Sequence, residues 1–264
     1  MEKTDINFGL WRAGWSYLVQ INTAGRLFLF LVSLFFLVSS VSGQTPYRLT
    51  AKGDGIFSGI TLGTLTLGNI QTKKIKPLTI EDINALELED IPGIDRYSTR
   101  QYSHRAHKIS NAFFYPSFAL PLTLLAGEQS RENFGEAGII CLETLALNAA
   151  LTNVTKMLFK RTRPLAYNDG YPFAEKLTRN ARTSFISGHA SFTAAMSFLT
   201  AKLYTDFYPE NKNKGVVWAS ACIIPAVTGY LRVKAGKHFI TDVLAGFVVG
   251  AAVGYLVPEL HKIR

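Results

Sequence analysis

The chain has 264 residues, enough for one sizeable domain, and combines 48% hydrophobic with 18% charged residues. That charged share is low for a soluble protein, whereas a mean hydropathy of +0.14 is low for a densely membrane-embedded one. A net charge of +9 suits an anionic lipid, a phosphorylated substrate or nucleic acid. Nucleic acid is disfavoured, because the basic residues adjoin apolar segments and form no recognised binding motif.

The N-terminal region contains a strongly apolar run at residues 27–41, LFLFLVSLFFLVSSV. Arg26 precedes the run and the small residues of Val41-Ser42-Gly43 end it, which is typical of a secretory signal with a long n-region. An uncleaved anchor is the alternative, because residues 27–47 carry no charge and are long enough to span a bilayer. We assign residues 1–43 to a signal peptide or an N-terminal anchor.

Residues 44–109 form a glycine-rich segment followed by a polar connector. The uncharged stretch 55–72 is rich in Gly and Thr and predicts either a weak helix or an irregular segment. Residues 73–108 mix acids and bases around prolines, which predicts a solvated connector with short helices. His104 and His107 have a spacing that suits a metal, but without a third ligand we interpret them as surface histidines.

Residues 110–264 contain five apolar segments and are assigned to one helical catalytic domain. The segments run approximately over 110–127, 135–160, 188–206, 215–232 and 238–258. Pro116 and Pro121 are expected to kink the first one. No uncharged run there exceeds 19 residues, which is marginal for a spanning helix, so a soluble bundle remains an alternative. We predict an all-α bundle of about five or six helices, embedded in a membrane, with the active site at the helix ends.

The last apolar segment carries a stripe with a period of four residues. Its members are His238, Asp242, Gly246, Gly250 and Gly254. On a helix they share one face, and glycines at this spacing let another helix approach closely. The stripe therefore predicts a tightly packed seam with a histidine and an aspartate at its end. Two cysteines in apolar runs, Cys141 and Cys222, are interpreted as buried free thiols rather than a disulfide.

Three polar fragments in this apolar half carry the chemistry. They are Lys156 with Arg163-Pro164, then Ser187-Gly188-His189, then Arg232 with His238 and Asp242. Desolvated cations repel one another, so a fold that gathers three needs an anion or carboxylates to neutralise them. Lys156 and Arg163 are seven residues apart, which places both on one helix face. Ser187-Gly188 opens a helix whose free N–H groups suit phosphate, and Asp242 is placed to orient His238.

The ordered set K-x6-R-P, S-G-H and R-x5-H-x3-D resembles the signature of the type-2 phosphatidic acid phosphatases. That superfamily also holds bacterial acid phosphatases and vanadium haloperoxidases. The resemblance covers residues 156–242 and extends over the helices at about 110–258. Ile186 stands where the family usually has Pro, and Leu231 where it usually has Ser. Neither position supplies the acid, base or nucleophile, but Leu231 removes a possible hydroxyl donor to phosphate.

The resemblance implies a phosphatase that uses no metal or cofactor and works through a phosphohistidine. His238 would be the nucleophile, Asp242 would fix its tautomer, and His189 would act first as acid and then as base. The implied phosphate-binding residues are Lys156, Arg163, Ser187, Gly188 and Arg232. Vanadium-dependent haloperoxidase activity is an alternative, because the same residues can bind vanadate; a soluble secreted acid phosphatase and a binding protein with a degenerate site are others.

The expected substrate is a lipid phosphate or a polyprenyl pyrophosphate in a membrane. The basic residues in and beside the active loop would meet anionic head groups; they are Lys160, Arg161, Lys176, Arg179 and Arg182. We expect a protein of the bacterial cell envelope with its active site facing the periplasm, because the family's bacterial membrane members place their site there. The alternative is a cytoplasmic site, which follows if segments 27–43 and 55–72 both span, or if the signal is cleaved and 55–72 spans.

Overall fold

The computed structural model describes residues 45–263, so the apolar run at 27–41 and its signal-or-anchor prediction lie outside the described residues. Within that range the fold is all-α, with no β-strand and one isolated antiparallel bridge between Tyr47 and Lys262. Six longer helices form a bundle and shorter helices connect them. The predicted fold class is therefore confirmed.

The helices of the described range follow one another in chain order. They are α1 (Ala51–Lys73), α2 (Ile80–Asn84), α3 (Gly93–Thr99), α4 (His104–Ser117), α5 (Glu128–Glu132), α6 (Phe134–Phe159), α7 (Phe173–Lys176), α8 (Gly188–Phe207), α9 (Lys214–Lys234) and α10 (Ile240–His261). Three 3-10 helices lie at Leu120–Ala126, Pro164–Tyr167 and Arg179–Arg182. The five predicted apolar segments correspond to α4 with the 3-10 helix after it, and to α6, α8, α9 and α10. Of the two alternatives for residues 55–72, the helix is observed.

The first apolar segment is bent where its prolines lie. Pro116 is in the last turn of α4, and Pro121 is at the start of the following 3-10 helix. The axes of the two helices differ by 44°. Proline lacks the N–H of the helical ladder and its ring clashes with the preceding turn, which explains the predicted kink.

Helix α8 is the centre of the bundle and packs against α4, α6, α9 and α10, while α1 lies along α6. Its inward residues include Met196, Leu199, Leu203 and Phe207, none of which is exposed to solvent. They join Ile140 of α6 in the main hydrophobic core. Burying an apolar side chain of this size contributes about 1.5–3 kcal/mol, so this core is the main source of the bundle's stability.

The glycine stripe of α10 forms a close seam with α8. A Cβ atom at Gly246, Gly250 or Gly254 would lie within 2.6 Å of a backbone carbonyl oxygen of α8 or of its N-cap, Ser187. One turn before the first of these glycines, the Asp242 carbonyl accepts a hydrogen bond from the Ser187 N–H at 3.0 Å. The predicted seam is confirmed, and it fixes the start of α8 against the start of α10.

We expect Gly250→Ala to lower the midpoint of thermal unfolding, because its methyl group would collide with the Ser191 carbonyl and force the two helices apart. Overpacking of this kind costs about 1–3 kcal/mol. Gly63→Ala is the matched control, because a Cβ there meets nothing within 4 Å and alanine favours a helix by roughly 1 kcal/mol. Circular dichroism of the purified variants in detergent measures both. A Gly250→Ala protein as stable as the Gly63→Ala protein would contradict the close seam.

The bundle has the dimensions and the surface of a membrane protein. Among residues 45–263, three segments are long and apolar enough to span, namely Phe134–Tyr167, Lys214–Lys234 and Ile240–His261. The bent α4 segment is a fourth if it counts as one span. Large apolar side chains point outward on the last two helices; they include Val216, Ile223, Tyr230, Leu244, Val248 and Leu256. Such a surface is stable in contact with lipid.

Two expectations about burial are wrong in part. Both cysteines are free thiols, as predicted, but Cys141 is half-buried and Cys222 is exposed on α9. The polar connector does contain short helices, α2 and α3, yet it is not solvated throughout. Asp95 and Ser98 of α3 are fully buried, because α3 packs against α10 and the 3-10 helix at Pro164–Tyr167.

Candidate active site

The three sequence fragments converge at one end of the bundle. Lys156 lies in the last turn of α6, Gly188 begins α8, Arg232 lies in the last turn of α9, and His238 precedes α10. Because consecutive helices are antiparallel, the end of one meets the start of the next. The Nζ atom of Lys156 lies over Gly188, where an added Cβ would approach it to 3.6 Å.

Arg163 is not on the helix that carries Lys156. Helix α6 ends at Phe159, Lys160 adopts a left-handed conformation with φ 43°, and Arg163 is extended with ψ 155°. The residue before a proline is disfavoured in the α region, and Pro164 follows directly. The prediction that both cations project from one helix face is therefore wrong, although both reach the same site.

The guanidinium group of Arg163 is buried and held by neutral acceptors. Nε donates to the Asn180 carbonyl at 2.7 Å, and Nη2 donates to the Asn180 side-chain oxygen at 2.9 Å and to the Thr183 carbonyl at 3.3 Å. Nη1 donates to the Lys237 carbonyl at 3.0 Å and lies 3.3 Å from Nε2 of His238. These contacts fix one guanidinium nitrogen beside the predicted nucleophile.

His238 is buried, and its two ring nitrogens have different partners. Nδ1 lies 2.9 Å from the Ser184 carbonyl, which can only accept, so Nδ1 carries the hydrogen and Nε2 carries the lone pair. Burial lowers the pKa of His238 well below its usual value, and the cations Arg163, Arg232 and Lys156 lower it further. The imidazole is therefore uncharged at neutral pH, as a nucleophile must be.

Asp242 reaches His238 indirectly. Its Oδ2 atom is 3.7 Å from Nδ1 of His238, beyond hydrogen-bond distance. The same oxygen accepts hydrogen bonds from the Ser184 hydroxyl and, at 2.9 Å, from the Phe239 N–H. Asp242 therefore does not bind the His238 ring directly. Its carboxylate holds Ser184, and the Ser184 carbonyl orients the imidazole.

A buried ion network that sequence reasoning missed holds Asp242 in turn. Arg161 donates through Nη1 to Asp242 at 2.6 Å and through Nη2 to Asp95 at 2.7 Å. Asp95 also accepts from the N–H of Thr241 at 3.0 Å and from its hydroxyl at 2.6 Å. Arg161 is thus engaged with two carboxylates, so the prediction that it meets lipid head groups is wrong. Lys176, only 4% exposed, is excluded from that role too.

His189 is positioned by α4. Its Nε2 lies 2.8 Å from the Asn111 side-chain oxygen, and its ring stacks on Phe114 with 4.1 Å between centroids. With Asn111 as the acceptor, Nε2 carries the hydrogen and Nδ1 is left to exchange a proton. Asn111 gave no signal in the sequence, because the motifs contain no residue of α4.

Arg232 is also held by α4. Its Nη1 atom lies 2.9 Å from Nδ1 of His107 and 3.3 Å from the Ser110 hydroxyl, and its Nε atom is buried without a hydrogen-bond partner. His104 is exposed, as expected, but His107 is half-buried against Arg232. The interpretation of both as surface histidines is therefore wrong for His107.

At the start of α8, Ser187 caps the helix, whereas Gly188 offers a free N–H group. The Ser187 hydroxyl caps the helix by accepting from the Ala190 N–H at 3.5 Å, and the Ser187 N–H is engaged with the Asp242 carbonyl. The N–H groups of Gly188 and His189 have no acceptor in the part of the chain that the structure describes. The donors free to meet an anion are therefore those of Gly188 and His189, and Ser187 supports the turn that presents them.

Three cations of the site form no ion pair with any carboxylate that the structure describes. Within residues 45–263, none of Lys156, Arg163 and Arg232 forms an ion pair with a carboxylate. Arg163 and Arg232 are each only 4% exposed. Desolvated cations in this state are costly and suit a multiply charged anion bound between them. Because the uncharged Nε2 of His238 faces the same place, a phosphoryl group there would be within its reach.

Comparisons with known proteins identify the family of the chain. A model of the PAP2 superfamily matches residues 137–264. The chain is 32% identical over 150 residues to a phosphatidylglycerophosphatase B of Bacillus subtilis, covering 55% of this chain and 69% of the relative. It is 25% identical over 167 residues to a lipid A 4'-phosphatase of Porphyromonas gingivalis, covering 59% of this chain and 67% of that protein.

A solved structure shares the fold. The crystal structure of a transmembrane PAP2-type phosphatidylglycerolphosphate phosphatase from Bacillus subtilis aligns with a TM-score of 0.50 at 23% identity. The alignment covers 76% of this chain and 94% of that one. This similarity supports the helical-bundle fold.

Proposed function

The chain belongs to the PAP2 superfamily, and from this premise we propose that it hydrolyses a phosphate ester of a membrane lipid through a phosphohistidine, without a metal ion. One observation carries the proposal. Three cations that form no ion pair within residues 45–263 act on the unprotonated His238, and one of them, Arg163, lies 3.3 Å from its Nε2 atom. This arrangement offers a nucleophile and a receptor for the charge of a phosphoryl group in one place.

The first step transfers the phosphoryl group to the enzyme. Nε2 of His238 attacks phosphorus, and the bond from phosphorus to the ester oxygen breaks. His189 takes up a second proton, on Nδ1, when the anionic substrate offsets the charge of the neighbouring cations, and gives that proton to the departing alcohol. Lys156, Arg163 and Arg232 bind the non-bridging oxygens, with the N–H of Gly188 as a further donor. The charge of the guanidinium and ammonium groups balances the phosphoryl oxygens, a role that metal ions have in other phosphatases.

The second step releases phosphate. His189, now unprotonated, takes a proton from a water molecule, whose oxygen attacks the phosphohistidine. The bond between phosphorus and nitrogen breaks, and Nε2 of His238 recovers its lone pair. The Ser184 carbonyl stabilises the ring throughout, because it accepts the Nδ1 hydrogen in both steps.

A lipid substrate is favoured by the surroundings of the site. The catalytic groups lie at the ends of apolar helices, where a lipid phosphate resides when the helices span. Near the end of α6 a cavity of about 450 Å³ is lined by Lys74, Lys76, Lys160 and Arg182. Each basic residue at a membrane surface contributes ~1 kcal/mol to the binding of anionic lipid. The relatives named above act on lipid A and on phosphatidylglycerophosphate, and both carry a phosphate monoester on a lipid.

We expect the purified protein to release phosphate from phosphatidylglycerophosphate or phosphatidic acid in mixed micelles with a chelator present, faster than from p-nitrophenyl phosphate. Replacing Lys160 and Arg182 with glutamine should raise KM for the lipid several-fold and leave p-nitrophenyl phosphate hydrolysis unchanged. His104→Gln, at an exposed position on α4, is the control. The same assay with undecaprenyl diphosphate tests a lipid pyrophosphate as substrate. Faster turnover of the small ester, or loss of turnover in chelator with recovery in magnesium, would contradict the proposal.

The active site is proposed to face the periplasm. Helix α1 ends and α6 ends at the active-site end of the bundle, so their starts lie at the opposite end. With those starts on the cytoplasmic side, the orientation that we propose, a lipid phosphate on the outer side of a bacterial inner membrane would reach the site directly. An enzyme reporter inserted within residues 165–180 should be active only when that loop is exported, and activity on the cytoplasmic side would reverse the orientation.

A further inference from the structure

A second cluster of charged side chains lies at the other end of the bundle. It consists of Asp54 in the first turn of α1, Glu143 in α6 and His261 at the end of α10. Nε2 of His261 is 3.0 Å from Oε2 of Glu143 and 3.2 Å from Oδ1 of Asp54. Glu143 is only 4% exposed and His261 only 8%, so three helices bring these groups together away from solvent.

The hydrogen bonds of this cluster leave one atom unsatisfied. Nδ1 of His261 lies 2.8 Å from the Val257 carbonyl and therefore carries its hydrogen, so Nε2 faces the two carboxylates. A single hydrogen on Nε2 serves one oxygen, and the geometry of a hydrogen bond is met only towards Asp54. Oε2 of Glu143 is buried and, although it lies 3.0 Å from Nε2 of His261, it receives no hydrogen bond of acceptable angle from residues 45–263. An orphaned carboxylate oxygen in this position is costly unless a cation binds it.

We propose that Asp54, Glu143 and His261 bind a divalent transition-metal ion such as Zn²⁺. One ligand atom from each residue lies within 4.8 Å of the others. Bonds of about 2.0–2.2 Å in a tetrahedron place ligand atoms about 3.3–3.6 Å apart, slightly more than the two distances from Nε2. The ion would contact all three atoms at once, including the orphaned oxygen of Glu143. Its two positive charges would balance the two carboxylates.

The surroundings provide what a metal site requires beyond its ligands. The Val257 carbonyl fixes the tautomer that leaves Nε2 free to coordinate, and the Ser58 hydroxyl donates to Oε1 of Glu143 at 3.1 Å. The N–H of Thr50 donates to Oδ2 of Asp54. Hydrogen bonds of this kind orient ligands and strengthen metal binding. A cavity of about 520 Å³, lined in part by Asp54 and His261, gives the ion an entry path and room for a water ligand.

The role of this metal would be structural. It would connect the start of α1 to α6 and α10 at the end of the bundle opposite His238, and no step of phosphate transfer uses it. A chelator should therefore lower the stability of the protein and leave turnover unchanged at temperatures where the bundle stays folded. A result against the metal site would therefore leave the phosphatase proposal intact, and a result against the phosphatase proposal would leave the metal site intact.

The test uses the full chain, purified without a histidine tag and stripped of metal in detergent. We expect wild-type protein to bind about one equivalent of Zn²⁺ by elemental analysis, to show visible absorption of tetrahedral Co²⁺, and to unfold at a higher temperature with Zn²⁺. His261→Gln should lose all three properties, whereas His104→Gln, which removes an exposed histidine, should keep them. Glu143→Gln, with the same shape, decides the matter if His261→Gln does not fold.

A salt bridge with a protonated His261 is the competing explanation. In that case wild-type protein binds less than a tenth of an equivalent of Zn²⁺, gives no Co²⁺ spectrum, and unfolds at the same temperature with and without the ion. Binding that is equal in wild type, His261→Gln and Glu143→Gln would place the metal elsewhere. Either result overturns the proposal.

Discussion

Replacing His238 with alanine is expected to abolish phosphate release, a loss of roughly 10⁴-fold or more, because the variant has no atom that can form the covalent intermediate. Rapid quenching with a radiolabelled lipid phosphate measures both turnover and phosphoenzyme. The burial of His238 among cations keeps the pKa of its imidazole low. The nucleophile of the free enzyme should therefore be unprotonated at neutral pH, and full activity of wild type should not require pH above 6.5.

His189→Ala separates the covalent route from direct attack by water. This variant keeps the nucleophile but lacks the proton donor and the later base, so it should turn over slowly and accumulate phosphoenzyme with a substrate that has a good leaving group. His104→Gln should match wild type in both assays, because this side chain is exposed and outside the site. Turnover by His238→Ala near the wild-type rate would exclude the phosphohistidine mechanism.

The sequence predicts the parts of this protein whose physics is local or periodic. The apolar segments match the long helices, because burial in a bundle requires long apolar stretches. The glycines of α10 identify a close helix contact, because only a residue without a Cβ permits it. The motifs identify the charged groups of the site, because each motif stands at the end of an apolar segment and antiparallel helices bring those ends together.

The parts that the sequence does not predict come from contacts between distant segments. Asp95 looks like any acid of a polar connector, and only the fold shows that it is buried beside Arg161. His107 and Asn111 lie outside every motif, yet α4 crosses the site and places them against Arg232 and His189. The seven-residue spacing between the first two cations suggested one helix face, which the conformation required before Pro164 prevents.

Asp242→Asn is expected to fold but to lower kcat about 10²-fold or more, with a smaller change in KM. The carboxylate accepts hydrogen bonds from the Ser184 hydroxyl and the Phe239 N–H and pairs with Arg161. An amide cannot accept all of these and presents its NH₂ group to a donor, so the segment carrying the Ser184 carbonyl shifts and the imidazole turns with it. A displacement of about 1 Å in an active site costs about 10²-fold in rate. Steady-state kinetics and thermal unfolding of the same preparation separate this effect from loss of fold.

Asp95→Asn distinguishes this indirect mechanism from a direct effect of the Asp242 charge on the imidazole. Asp95 contacts Arg161 and Thr241 but no motif residue, so it can influence kcat only through the network. We expect a several-fold to about 10-fold drop in kcat, and a double variant with Asp242→Asn little worse than Asp242→Asn alone, since coupled residues give non-additive effects. Asp90→Asn, at an exposed position of the same connector, is the control. The effects of the two substitutions depend on each other only if the network through Arg161 connects the two carboxylates. A wild-type kcat in Asp95→Asn would therefore show that Asp242 acts on His238 directly. The same conclusion would follow if the separate losses of kcat multiply in the double variant.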